Sequence, residues 1–189
     1  GRSLAVLGSQ SDDIFLSGDM YAGAGPERLF AALQVTGEGR QNYDADRWES
    51  ILGSGRFATY WKLAPRHTSI LSAEWSGGWK QRIPYQLTIA EPTGGVRGYE
   101  YSEIPGSARG VARIENRFLL GNIRGTADAG VAVFADAGRT WAGDVPFGVN
   151  SPVYSSIGVS LLAAIPPRSK RLWRMMTVPA LFVMARIPS

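Results

Sequence analysis

The sequence has no cysteine and a single histidine, His67, among its 189 residues. A disulfide framework and Cys-ligated zinc are thereby excluded, as is any metal site that needs two imidazoles. Charge is scarce too: Asp, Glu, Lys and Arg make up 19% of the chain, against about a quarter in an ordinary soluble domain. No apolar run reaches the ~18 residues of a transmembrane helix. Transmembrane strands stay open, because their signal is only about ten alternating residues. Extended 3.6-residue periodicity is missing as well. What is abundant is glycine (23), with 11 Pro, 6 Trp, 7 Tyr, 7 Phe and an apolar share of 44%. The length suffices for one domain with a core, and the composition points to strands and turns.

The formal net charge is +4, carried by 17 Arg against 3 Lys. The arginines are scattered. The one compact basic cluster, Arg168, Lys170, Arg171 and Arg174 beside Pro166 and Pro167, reads as a turn with the start of a strand. A nucleic-acid partner is not expected, since that would need a clustered basic face with interleaved aromatics. The chain opens Gly1-Arg2-Ser3-Leu4 without Met or a signal-length apolar run, and reads as a piece of a longer protein.

Enzyme chemistry finds little purchase. His67 is the only imidazole base, and no Gly-x-Ser-x-Gly elbow accompanies it. A Gly-x-x-x-x-Gly-Lys phosphate loop is absent. The paired carboxylates Asp12-Asp13 and Asp44-x-Asp46 read as solvated turn residues, and Gly53-Ser54-Gly55 as a strand kink. No catalytic residue, metal or cofactor is expected.

Period-two alternation recurs along the chain. From Ala108 to Leu120 the odd positions Arg109, Arg113, Glu115 and Arg117 are charged, whereas the even positions Ala112, Ile114, Phe118 and Leu120 are apolar. Thr68–Lys80 sets Ser72, Glu74 and Ser76 against Leu71, Ala73, Trp75 and Trp79. In Ala129–Trp141 and Tyr154–Ile165 the odd residues are expected to point outward and the even ones inward. Further strands are expected at Asp13–Ala24, Arg28–Arg40, Asp46–Leu63 and Arg171–Leu181, with Leu4–Gln10 as one more. Several of these exceed the usual five or six residues and match the roughly nine to eleven of a bilayer-crossing strand. Short connections (Gly25–Glu27, Ala64–Arg66, Gly121–Asp128, Pro166–Ser169) alternate with long ones (Gln41–Ala45, 81–107, Ala142–Pro152). Aromatics gather near strand ends: Tyr60, Trp61, Trp75, Trp79, Trp141, Tyr154 and Trp173. Two architectures fit. In a soluble sandwich the apolar faces form the core; in an antiparallel transmembrane barrel they meet lipid, and the aromatics form a girdle.

The connection 81–107 exceeds the ~15 residues beyond which a loop is usually functional or disordered. It carries Gly94-Gly95-Val96-Arg97-Gly98-Tyr99 and Tyr101. Val96-Arg97-Gly98-Tyr99 resembles the VRG(F/Y) signature of the Omp85 superfamily, the bacterial surface antigen (D15-like) proteins. Glu115-x-Arg117 and then Phe134-x-Asp136-x-Gly138 follow in the family's order. The resemblance covers about residues 80–181 and implies the C-terminal half of an outer-membrane barrel, some eight or nine of sixteen strands, spanning 1–189. It further implies that the loop folds into the lumen, with Arg97 as its anchor and Asp136 as the receiving acid. Val96, Gly98, Tyr99, Glu115, Phe134 and Gly138 would shape the docking site.

The implied role is insertion of proteins into, or translocation across, the bacterial outer membrane. Implied partners are outer-membrane lipid and a substrate polypeptide, with POTRA domains or accessory lipoproteins outside this chain. The barrel anchor of a larger enzyme, such as a patatin-like lipase, and a soluble binding module are the alternatives. Elementary chemistry supports the Arg97–Asp136 pairing independently. A buried Arg needs an acid, Asp136 lies on the polar face of its strand, and Gly138 on that face leaves room beside it. Gly98 allows a tight or positive-φ turn.

Overall fold

The computed structural model describes residues 1–3, 12–82, 85–91, 94–100 and 104–164, and the backbone of 173–177 and 183–187. Seven long strands dominate: β2 (Asp13–Ala24), β3 (Leu29–Asn42), β4 (Arg47–Ala64), β5 (His67–Trp79), β8 (Ala108–Ile123), β9 (Ala127–Trp141) and β10 (Val153–Ala164). Short ones are β1 (Arg2–Ser3), β11 (Trp173–Thr177) and β12 (Val183–Ile187) at the sheet edges, and β6 (Ala90–Glu91) with β7 (Gly94–Gly95) inside the long connection. The described residues contain no helix. All the long strands belong to one antiparallel sheet ordered β1-β2-β3-β4-β5-β8-β9-β10-β11, with β12 also on β10. β1 and β11 do not pair, so the sheet is not closed on itself among the described residues.

Each long strand pairs antiparallel with the next long strand, and at β2–β3, β3–β4, β4–β5 and β8–β9 a short turn permits only such a return. The β8–β9 turn illustrates the local chemistry. Arg124 and Gly125 both take positive φ (50° and 73°), Thr126 N–H donates to Ile123 O at 2.9 Å, and Gly125 N–H donates to Asn122 Oδ1 at 2.5 Å. A turn with both central residues at positive φ matches the twist of the flanking strands.

The expected strand at Asp13–Ala24 is reproduced residue for residue. Other expectations need correction. The connection expected at Gly121–Asp128 shrinks to residues 124–126, because β8 runs to Ile123 and β9 begins at Ala127. The connection at Gln41–Ala45 is not long: Gln41 and Asn42 continue β3, and only residues 43–46 turn, with Ala45 N–H donating to Asn42 Oδ1 at 3.0 Å and Asp46 at φ 45°. Asp13 is not a solvated turn residue but the buried first residue of β2. The expected strand Arg171–Leu181 is seen as β11 alone. The rest of it, the Leu4–Gln10 strand, Tyr101, Pro166–Ser169 and the side chains of the basic cluster and Trp173 lie outside the described residues.

Register extends the alternation across the whole sheet. On one face Ala58, Ser72, Arg113, Asp136 and Ser156 stand side by side from β4 to β10. The adjacent row on that face is Arg56, Glu74, Val111 and Gly138. On the other face Thr59, Leu71, Ile114, Ala135 and Ile157 form a row, beside Leu33, Phe57, Ala73, Ala112 and Ala137. The usual arrangement is inverted. The apolar face is open, with Leu71 52%, Ile157 50% and Val133 49% exposed, whereas Glu115, Asp136 and Arg109 are buried on the polar face. What buries them is the 80–107 connection. Its apolar residues Ile89, Ala90 and Val96 form a small core with Val111 of β8, flanked by Tyr99, Ile104 and Tyr154. The buried centre of the molecule thus lies between a loop and the polar side of the sheet.

Aromatic side chains punctuate the open face. Trp75 and Trp79 stack at 5.4 Å, Trp141 carries the Arg139 guanidinium at 5.1 Å, and Trp48 packs by Gly39. These sit toward the long-connection end. Trp61 and Phe118 stand toward the other end, Phe118 stacked on His67 at 4.4 Å. Tyr154 is not part of this set: its ring meets Tyr99 edge-on at 5.3 Å, on the loop side.

Candidate functional site

The site is built where the loop tip meets β8 and β9. Arg97 arrives on the loop, and Asp136 and Phe134 point toward it from successive even positions of β9. Arg97 donates to Asp136 three times: backbone N–H to Oδ2 at 3.1 Å, Nε to Oδ2 at 2.7 Å, and Nη2 to Oδ1 at 2.6 Å. Its remaining Nη1 donates to Glu115 Oε2 at 2.7 Å. The guanidinium plane therefore spans two strands, using the forked donor set that a lysine lacks. Below it lies the ring of Phe134, 3.4 Å from Cζ to the centroid, in cation–π geometry.

The charges alternate beyond this centre. Glu115 accepts from Arg117 Nε at 2.7 Å, and Arg113 pairs with Glu74 at 2.8 Å and approaches Asp136 at 3.9 Å. Three carboxylates thus face three guanidinium groups, and the cluster is neutral as a set. That neutrality is what makes its burial affordable, because an unpaired charge here would face a large desolvation cost. Burial alone would lower the Arg97 pKa. The hydrogen bonds and charges of Asp136, and then of Glu115, outweigh it and hold Arg97 above the ordinary arginine value.

The backbone of the tip is shaped by glycine. Gly98 sits at φ 92°, a conformation that strains an L side chain. A Cβ on Gly138 would come within 2.8 Å of Val96 Cγ2 and of Gly110 O, and 3.0 Å of Val111 Cγ2. The vacancy expected beside Asp136 is therefore filled by the Val96 side chain rather than by loop backbone. Tyr99 closes the seat by donating its hydroxyl to Ser155 O at 3.0 Å.

All eight residues singled out from the sequence, Val96, Arg97, Gly98, Tyr99, Glu115, Phe134, Asp136 and Gly138, come together here. Sequence reasoning gave no site role to Glu74, Arg109 and Arg113. Arg109 donates to Thr88 O at 2.9 Å and Arg113 donates to Gly95 O, so two arginines of β8 hold loop carbonyls. Their signal was available, since both share the odd positions of Glu115 and Arg117. The apolar seat formed by Ile89 had no comparable signal.

His67 takes no part in this cluster. Its Nε2 lies 3.3 Å from Asn116 Oδ1. Among the described residues no group of three or more His, Asp or Glu side chains gathers in a metal-binding cluster. Beside the site, a polar cavity of about 600 Å³ runs between the loop and β2–β5, lined among others by Asp19, Glu38, Glu74, Ser76, Tyr85 and Arg109. Chemically the arrangement of the described residues is a clamp, a set of strong contacts that fix a loop on a sheet. Set beside protein-family models, curated proteins and solved structures, the chain matches none of them.

Proposed function

We propose that this chain is the C-terminal half of an outer-membrane β-barrel of the Omp85 type. In this reading the open face meets lipid, the 81–107 loop lies in the lumen, and the protein works in inserting or translocating polypeptides without a cofactor. One observation carries it: the arginine of the Val-Arg-Gly-Tyr tip is held by the aspartate of Phe-x-Asp-x-Gly on β9.

The face chemistry supports the lipid side of the reading. A soluble sandwich needs a second sheet over the apolar face. The other sheet among the described residues is the two-stranded β6–β7, in the connection that packs on the polar face. Contiguous apolar patches larger than a few hundred Å² mark partner or membrane contacts. The dimensions fit as well. Ile51, the register partner of Trp79, lies ten residues before Trp61 on β4. At ~3.3 Å per residue that is about 33 Å along the strand, or about 25 Å along the normal at a ~40° tilt. An apolar band of about that height between aromatic girdles is what a transmembrane barrel presents.

The test uses the absence of cysteine. Single cysteines at Val133 and Val159 carry nitroxides in vesicles of outer-membrane lipid, and collision with oxygen or a water-soluble nickel complex reports the surroundings. Oxygen-rich, nickel-poor signals at both positions are expected. Nickel access at both would overturn the barrel reading.

A further inference from the structure

A second group of buried charges lies away from the loop tip, at the loop root. Asp13 of β2 and Glu49 of β4 are both buried, and both face Arg82, two residues beyond the Lys80 bend. Arg82 Nε donates to Glu49 Oε2, and its Nη1 lies 3.7 Å from Asp13 Oδ2. Glu49 reaches this position through an irregularity in β4. The β3–β4 register shifts between Glu38 and Arg40, Ser50 takes φ 48°, and Ser50 N–H donates to Lys80 O at 2.8 Å. A β-bulge re-aims the side chain beside it. The odd residue Glu49 is thereby buried by the loop root, although Gly53, Gly55 and Phe57 of the same parity lie on the open face.

The root differs from the tip in one respect. Each root acid keeps an arginine of its own, Arg40 with Asp13 at 3.2 Å and Arg47 with Glu49 at 2.6 Å. Arg82 is also partly in solvent. Removing Arg82 leaves neither acid without a cation. At the tip, removing Arg97 leaves Asp136 facing the more distant Arg113, at 3.9 Å.

We propose that Arg82 is a second, separable latch of the loop: a positioning residue that ties the root to β2 and β4 and can open while the tip stays seated. Tyr85, three residues on, walls the 600 Å³ cavity and packs against Gly78. The latch therefore sets how far the root side of the cavity is closed, up to the bridge between Leu87 and Gly106. The inference rests on the proposed function for what the cavity serves, and not for how the loop is attached.

The test places a nitroxide at Gln86 (Gln86→Cys) or at Glu100 (Glu100→Cys), both exposed, in the full chain. With Arg82→Gln, the mobile fraction at position 86 should rise about two- to fivefold, the worth of an ion pair whose cation is partly in solvent and whose acids keep other arginines, while position 100 is unchanged. Arg82→Lys should restore most of the loss. In the unmutated chain, salt raised from ~0.05 to ~0.5 M should mobilise position 86 alone, because only the root is open to screening. No change at position 86 in either experiment overturns the latch. So does joint mobilisation of both positions, which would make the loop one body. The depth labels at Val133 and Val159 read the barrel separately, so either idea can fail without the other.

Discussion

The Arg97 guanidinium lies with Nε and Nη2 on the two carboxylate oxygens of Asp136, at 2.7 and 2.6 Å, while its own backbone N–H donates to the same side chain. Loop backbone and loop side chain are thus fixed by one buried acid. Truncating either partner leaves the other charge buried, so Arg97→Ala or Asp136→Ala should cost about 3–5 kcal/mol of loop docking. Because the two residues share one interaction, the double variant should cost well under the sum. The coupling should fall within about 1–3 kcal/mol. Protease accessibility of the loop across the four proteins measures it, and additive effects would remove the clamp.

Gly138 tests the packing half of the seat. An added methyl would stand 2.8 Å from Gly110 O, a backbone atom that cannot swing away. Gly138→Ala should therefore displace Val96 and cost about 1–3 kcal/mol, the usual penalty of overpacking. The loop should become more accessible to protease with the charges untouched. Unchanged protection would mean that the strand yields instead.

Tyr99 allows a finer measurement. Tyr99→Phe removes the hydroxyl that donates to Ser155 O while keeping the ring against Tyr154. The expected loss is about 0.5–1.5 kcal/mol of loop docking, one net hydrogen bond. A loss as large as that of Arg97→Ala would relocate the anchor to Tyr99.

The proposed contact of the open face with lipid predicts an asymmetry between faces. Arg at Val133 on the open face should impair membrane insertion by about 2–4 kcal/mol if that position lies near the midplane. Arg at Gln34, an exposed residue of the polar face that stands beside Asp19 and across from Arg56, should cost well under that. Thr140 shares the polar face but makes a poor control. It is fully buried, its N–H is donated to Ser151 Oγ at 2.9 Å, and Arg there would break packing. Equal sensitivity at Val133 and Gln34, measured by refolding into vesicles, would argue against a lipid-facing side.

How much of this was legible in one dimension varies by element. β8 to β10 were readable because alternation over twelve or more residues is dense information, and register carries it from strand to strand. The turn at 43–46 was misjudged because Gln41 and Asn42 are polar residues at a strand end, where polarity does not separate strand from loop. Asp13 was misread for a related reason. An Asp-Asp pair favours turns locally, and nothing nearby in sequence announces Arg40 or Arg82. Glu49 could not have been placed at all, since its burial depends on the bulge at Ser50.

The sequence by itself determined the strand periodicity and the segregation of charge to one face, because both are written in local spacing, while the eight residues of the loop seat were named through their resemblance to a family's motifs. Only the tertiary structure decided which face is buried, how the three carboxylates and three arginines share their bonds, and that Val96 fills the space over Gly138. Those outcomes depend on where an apolar loop settles among residues far away in sequence. An arginine's choice of partner is a matter of angstroms between strands, which spacing along the chain does not encode.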